Sequence, residues 1–118
     1  MAYTPRGLVG VDVEASGRVC AAMPIARRYF APAEVDKLAA LDDGRRLQAF
    51  LRLWCAKESV LKASARGIAF GLHRLAFDVA GPTPRMTHCD PALGNPDDWT
   101  VQQLPLEPGF IAVLATTG

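Results

Sequence analysis

Long apolar runs are missing from this 118-residue chain. No stretch approaches the roughly 20 consecutive apolar residues of a membrane-spanning helix, and the first seven residues hold no apolar signal-peptide core. The expectation is a soluble, unprocessed, cytoplasmic protein with no membrane partner. Net charge is nearly missing as well. Thirteen basic residues against twelve acidic give +1, which supplies no long-range field for nucleic acid or an anionic surface, so a nucleic-acid partner is not expected. Histidine is scarce: His73 and His88 have no acid or cysteine at ligand spacing and read as ordinary side chains. Cys20, Cys55 and Cys89 are odd in number and form no CxxC pair, which argues against a disulfide framework and against zinc or redox sites, and fits a reducing compartment. Internal repeats, linkers and low-complexity segments are absent too.

What remains is half hydrophobic, enough for one compact domain over residues 1–118. Residues 8–14 read as a strand, because Val9, Val11 and Val13 alternate with Gly10, Asp12 and Glu14, and the valines are expected to face the core. A short helix fits residues 24–30. Pro32 suits the first turn of a second helix through Val35, Leu38 and Leu41. The longest helical pattern runs from about residue 45 to residue 65, with Leu47, Phe50, Leu51, Trp54 and Leu61 on one stripe and Gly67 as its terminator. Residues 75–79, 85–88, 99–104 and 110–114 then read as strands separated by Gly-Pro, Asp-Pro, Asn-Pro and Pro-Gly breakers. The predicted class is α+β: a mostly antiparallel sheet packed on a long helix.

Three acids stand out. Asp12 and Glu14 are two apart on one strand and share a face, where two carboxylates repel; a solvated edge-strand face is the plain explanation. Glu58 falls, at about 100° per residue, inside the apolar stripe of the long helix, where an isolated carboxylate needs a cationic partner. Lys62, one turn on, lies at one edge of that stripe and Lys57 at the other. An intrahelical Glu58–Lys62 pair is the structural explanation, and a functional site is the other. A structural pair leaves Asp12 and Glu14 unexplained. If the strand packs on the helix, Asp12, Glu14 and Glu58 can converge on one hard cation such as Mg²⁺, with Lys62 beside it to neutralise a diphosphate. The residues alone therefore point to metal-dependent phosphoryl-type transfer.

The same residues carry a family resemblance. Val9-Gly10-Val11-Asp12-Val13-Glu14 resembles the first signature of the Sfp-type members of the 4′-phosphopantetheinyl transferase superfamily. Trp54-Cys55-Ala56-Lys57-Glu58-Ser59-Val60-Leu61-Lys62 resembles their second, Trp-x-x-Lys-Glu-(Ser/Ala)-x-x-Lys, and Arg28-Tyr29-Phe30-Ala31-Pro32-Ala33-Glu34 resembles the Arg-x-Phe-(Ser/Ala)-x-x-Glu segment between them. Gly67-Ile68 follows where the family usually has such a pair.

The resemblance implies a single lobe similar to the C-terminal half of the two-lobed enzymes. It implies Mg²⁺-dependent transfer of 4′-phosphopantetheine from coenzyme A to a serine of an apo acyl or peptidyl carrier protein, a reaction of the holo-acyl-carrier-protein synthase type. Asp12, Glu14 and Glu58 would bind the metal. Lys62 would contact the coenzyme A pyrophosphate, and Glu58 or a water it holds would take the serine proton. Lys57 would support the diphosphate or form an ordinary ion pair. Two-lobed enzymes hold coenzyme A between lobes, so this chain would need self-association or a partner lobe; the alternative is a non-catalytic half-domain that binds coenzyme A or a carrier protein. Arg27, Arg28, Arg45, Arg46 and Arg52 could guide an acidic carrier.

Overall fold

A computed structural model describes residues 7–15, 21–104 and 108–117. Cys20 and most of the N-terminal segment discussed above lie outside them. Strand β1 (Val9–Ala15) leads to helices α1 (Ala22–Tyr29), α2 (Pro32–Ala39) and α3 (Asp43–Ala63), followed by β2 (Leu75–Asp78), β3 (Arg85–Cys89), β4 (Trp99–Leu104) and β5 (Phe110–Thr117). Pro32 does open α2. Helix α3 starts where the Asp42 carboxylate accepts the Arg45 backbone N–H at 2.9 Å, an N-cap that satisfies one of the helix's orphan donors.

The strands form two antiparallel sheets among the described residues, rather than one: β1-β5-β4 and β2-β3. In the larger sheet Asp12 pairs with Val113 and Glu14 with Ile111, while Gln103 pairs with Val113 from the other side. The α+β class and antiparallel pairing hold, and α3 lies across β1 and β5 to form the core with α1, α2 and β2.

Two expectations change. The valines of β1 do not face the core. Val9, Val11 and Val13 are 64, 46 and 51 % exposed, while Gly10 and Asp12 on the alternate face are buried. The reason is Gly10: without a side chain it admits the α3 backbone against the strand, and a Cβ there would overlap the Ser59 carbonyl oxygen and the Ala63 amide and lie 2.9 Å from Ala63 Cα. Helix and strand meet on the polar face because only that face offers a gap.

The second change concerns α3. It is not buried along one stripe: Cys55, Ala56, Lys57, Ser59, Val60 and Leu61 are all buried, so this half of the helix is enclosed on nearly every side. Glu58 is the half-buried exception and Lys57, expected at an edge, is wholly enclosed. A single-stripe reading assumes one packed face, and α3 has the sheet on one side and α1, α2 and β2 on others. Its end also differs. Helical structure stops at Ala63, and Ala65, at φ 56°, takes the left-handed position expected of Gly67. The Arg66 N–H bonds the Leu61 carbonyl at 2.7 Å and the Ala65 N–H bonds the Lys62 carbonyl at 3.2 Å, which is the Schellman pattern.

Candidate active site

The close approach at Gly10 sets β1 and α3 side by side, and this is what brings the predicted acids to the predicted lysine. Asp12 is buried, and its Oδ1 accepts from Lys62 Nζ at 2.6 Å, joining the strand to the helix. Of the two explanations for the Glu58–Lys62 spacing, the intrahelical pair gives way to this cross-element bond, although Glu58 still adds to the field that holds the Lys62 pKa above its ordinary value, after the bond to Asp12 as the main cause. Below the site the Cys55 thiol donates to the Asp12 main-chain carbonyl at 3.0 Å. Burial pushes the Cys55 pKa far up, with Asp12 and Glu14 adding to it, so it is a packed neutral thiol.

Glu58 Oε1 and Asp12 Oδ2 are both buried and both lack a hydrogen-bond partner. Burial raises the Glu58 pKa above the usual carboxylate range; the Asp12 charge adds to this, Lys62 opposes it, and Glu14 contributes further. Glu14 thus shares the electrostatic field with Asp12 and Glu58. Among the described residues no group of three Asp, Glu, His or Cys side chains is arranged to hold a metal ion. Two carboxylates with orphan oxygens nevertheless fit Mg²⁺, which commonly takes one or two carboxylates and completes its shell with substrate phosphate and water. The donor set is hard oxygen throughout, as that ion requires.

Lys57 takes no part in this cluster. Its ammonium is 2.7 Å from Glu34 Oε1, with the two side chains 0 and 2 % exposed, and it also donates to the Leu72 carbonyl at 2.7 Å and to the Leu75 carbonyl. Those three acceptors use all three ammonium hydrogens, leaving none for a diphosphate. Of the two readings of Lys57, the geometry supports the ion pair. Glu34 is equally occupied: Oε1 also accepts the Ala31 N–H at 3.1 Å, and Oε2 accepts the Phe77 N–H at 2.9 Å.

Sequence reasoning gave Glu34 no task, although an acid three residues beyond the Ala31 N-cap of a Pro-initiated helix is a recognisable capping signal. The packing role of Gly10 is not visible in the strand alternation either. Its signal was a glycine inside a strand, which often marks a close backbone approach. His73 and His88 are exposed and join no ligand cluster among the described residues. Trp54 is half-buried and packs on Phe50, ring centroids 6.2 Å apart.

Comparison with known proteins bears on the family and the fold. The profile of the 4′-phosphopantetheinyl transferase superfamily matches residues 8–109. A Synechocystis protein provisionally named a 4′-phosphopantetheinyl transferase is 39 % identical over 72 residues, covering 61 % of this chain and 29 % of its own length. The 4′-phosphopantetheinyl transferase HetI of Nostoc is 28 % identical over 110 residues, covering 93 % of this chain and 44 % of its own. This chain thus spans less than half the length of these relatives. In fold it is similar to the holo-[acyl-carrier-protein] synthase of Thermotoga maritima, with TM-score 0.69 and 18 % identity over 93 % of this chain and 62 % of that one. It is also similar to a holo-(acyl-carrier-protein) synthase from Bacillus anthracis determined with coenzyme A (3′,5′-ADP), with TM-score 0.63 and 14 % identity over 93 and 94 % of the two chains.

Proposed function

The chain belongs to the 4′-phosphopantetheinyl transferase superfamily, and from that membership we propose that it transfers 4′-phosphopantetheine from coenzyme A to a serine of an acyl or peptidyl carrier protein in a Mg²⁺-dependent reaction. The observation that carries this reading is the pair of orphan oxygens, Asp12 Oδ2 and Glu58 Oε1, buried beside Lys62. Buried carboxylate oxygens without partners are costly, and a site that keeps two of them is built to receive something cationic.

In the reaction the serine Oγ forms a bond to the phosphorus that bears the pantetheine arm. The bond from that phosphorus to the bridging diphosphate oxygen breaks, and adenosine 3′,5′-bisphosphate leaves. Asp12 and Glu58, with their orphan oxygens, would hold Mg²⁺, with Glu14 adding to the acidic field beside them, and the ion would supply positive charge to neutralise the diphosphate. Glu58, whose carboxyl binds its proton more tightly than an ordinary glutamate, takes the serine proton directly or through a water. Lys62, half exposed on a long stem, reaches the diphosphate and offsets charge on the leaving group. Lys57 and Glu34 only hold α3 in place. Among the described residues no helix is long and apolar enough to cross a membrane.

A second reading is supported by the exposed face of β1. Val9, Val11 and Val13 continue across the sheet through the half-buried Leu114, opposite Val11, and the exposed Phe110. Exposed apolar side chains gathered on one sheet face commonly mark an interface. We assign it to a second copy of the chain or to a partner lobe that completes the coenzyme A cleft. Without that partner the chain is a half-domain that binds coenzyme A or a carrier protein and does not turn over.

The test is intact-protein mass spectrometry of an apo carrier protein incubated with the chain, coenzyme A and Mg²⁺, alongside Asp12→Ala. One added phosphopantetheine, absent with the variant, establishes the transferase. No addition across several carriers selects the half-domain reading.

A further inference from the structure

Lys62 is bonded to a group that the transfer reaction needs for something else. Its ammonium lies 2.6 Å from Asp12 Oδ1, yet the lysine side chain is 52 % exposed while that of Asp12 is 7 % exposed. A half-exposed lysine thus reaches in to a carboxylate that is itself buried. Among the described residues it is the cation bonded to Asp12, and it satisfies only one of the two aspartate oxygens; Oδ2, with Glu58 Oε1 nearby in the same field, stays unpartnered.

A divalent cation taken up by Asp12 would bring two further positive charges against an ammonium already in hydrogen-bond contact with that carboxylate. Like charges at such separations disfavour one another strongly where burial weakens solvent screening. We propose that Lys62 is the resident counter-ion of the acidic site: it competes with the divalent cation for Asp12 and gives up that carboxylate when the cation binds. The freed ammonium, on a flexible stem with three rotatable donors, is then available to the diphosphate that arrives with the metal. The competition rests on the metal site of the proposed function, and the last step also on its diphosphate substrate.

The consequence is a pair of opposite effects from one substitution. Lys62→Met removes the competitor, so metal alone binds more tightly; it also removes a diphosphate contact, so coenzyme A binds more weakly once metal is present. A lysine that merely assisted metal binding through structure would weaken both.

The experiment is a Mn²⁺ titration of the full chain, freed of metal by chelator, followed by electron paramagnetic resonance of free Mn²⁺ without and with coenzyme A. Without coenzyme A, Lys62→Met is expected to bind Mn²⁺ about two- to fivefold more tightly than the wild type, the size of one half-exposed ion pair no longer broken. Lys62→Arg, which keeps the charge, shows no such gain, and Asp12→Asn loses the site. Equal or weaker Mn²⁺ binding by Lys62→Met, with wild-type binding intact, overturns the competition and leaves the transferase reading standing. Absence of Mn²⁺ uptake by wild type and Lys62→Met alike, with and without coenzyme A, overturns both.

Discussion

Gly10 of β1 and Ser59 of α3 stand in backbone contact: there is no space between them for even a Cβ, because it would overlap the Ser59 carbonyl oxygen. This contact decides which face of β1 meets the helix, and so whether Asp12 reaches Lys62. Gly10→Ala is expected to force the two elements apart, costing about 2–3 kcal/mol of stability as an overpacked core does, and to lower activity more than the loss of folded protein explains. Urea denaturation together with activity per folded molecule checks this. A variant of wild-type stability would show that the elements separate without strain.

The buried Glu34–Lys57 pair gives a second expectation. Lys57→Met strands a carboxylate in the core and should cost about 3–5 kcal/mol. Adding Glu34→Gln, which removes the stranded charge, should recover at least half of that, because the penalty comes from the unpaired ion more than from the lost attraction. Chemical denaturation of the single and double variants gives the comparison, and a Lys57→Met loss under 1 kcal/mol would contradict the assignment.

For Glu58 the sign follows from its raised pKa. Between the unfolded and the folded pKa the native state holds the proton that the unfolded chain has released. This contribution is therefore fully present below the unfolded value and is lost as pH rises through the folded one. In chelator-treated protein Glu58→Gln should be more stable than wild type at neutral pH, by roughly 1 kcal/mol, with the gap narrowing toward pH 4. Denaturation curves across that range test it; a gap that widens on acidification would reverse the assignment.

The C-terminal turn of α3 offers a stabilising change. Ala65 adopts φ 56°, a conformation that disfavours a Cβ. Ala65→Gly should raise stability by about 0.5–1 kcal/mol, glycine's advantage at that position outweighing its greater freedom in the unfolded chain. A thermal melt suffices, and a lower melting temperature would mean that tertiary contacts, and not backbone preference, govern the turn.

The exposed valines give the last expectation. Val11→Lys should leave monomer stability within about 0.5 kcal/mol, as surface substitutions usually do. If the face is a self-association surface, it should also abolish dimers or larger assemblies seen by light scattering. Assembly that survives the charge would place the interface elsewhere.

Much of this fold could be read in the sequence wherever one period dominates. Strand alternation in β1, the Pro32 start of α2 and the apolar spacing along α3 all set elements within a few residues of where they lie. Facing was less legible. In β1 the apolar residues and the packed residues are opposite sets, because glycine contributes packing by what it lacks, and a hydrophobicity pattern cannot register that. In α3 burial on several sides erased the single stripe, so Lys57 and Glu58 exchanged their expected depths. The candidate site was legible as a set of residues: Asp12, Glu58 and Lys62 do come together. The bond that joins them was not, since it crosses 50 residues of chain and local spacing carries no record of such pairs.

Lys57 and Glu58 are neighbours in sequence, yet they answer to different demands. A lineage that abandoned the chemistry could let position 58 drift and even gain robustness, while position 57 would stay tied to its acid across the core. A chain that kept the lysine and lost the glutamate would be the expected relic: folded and still recognisable by most of its signature, but retired from catalysis.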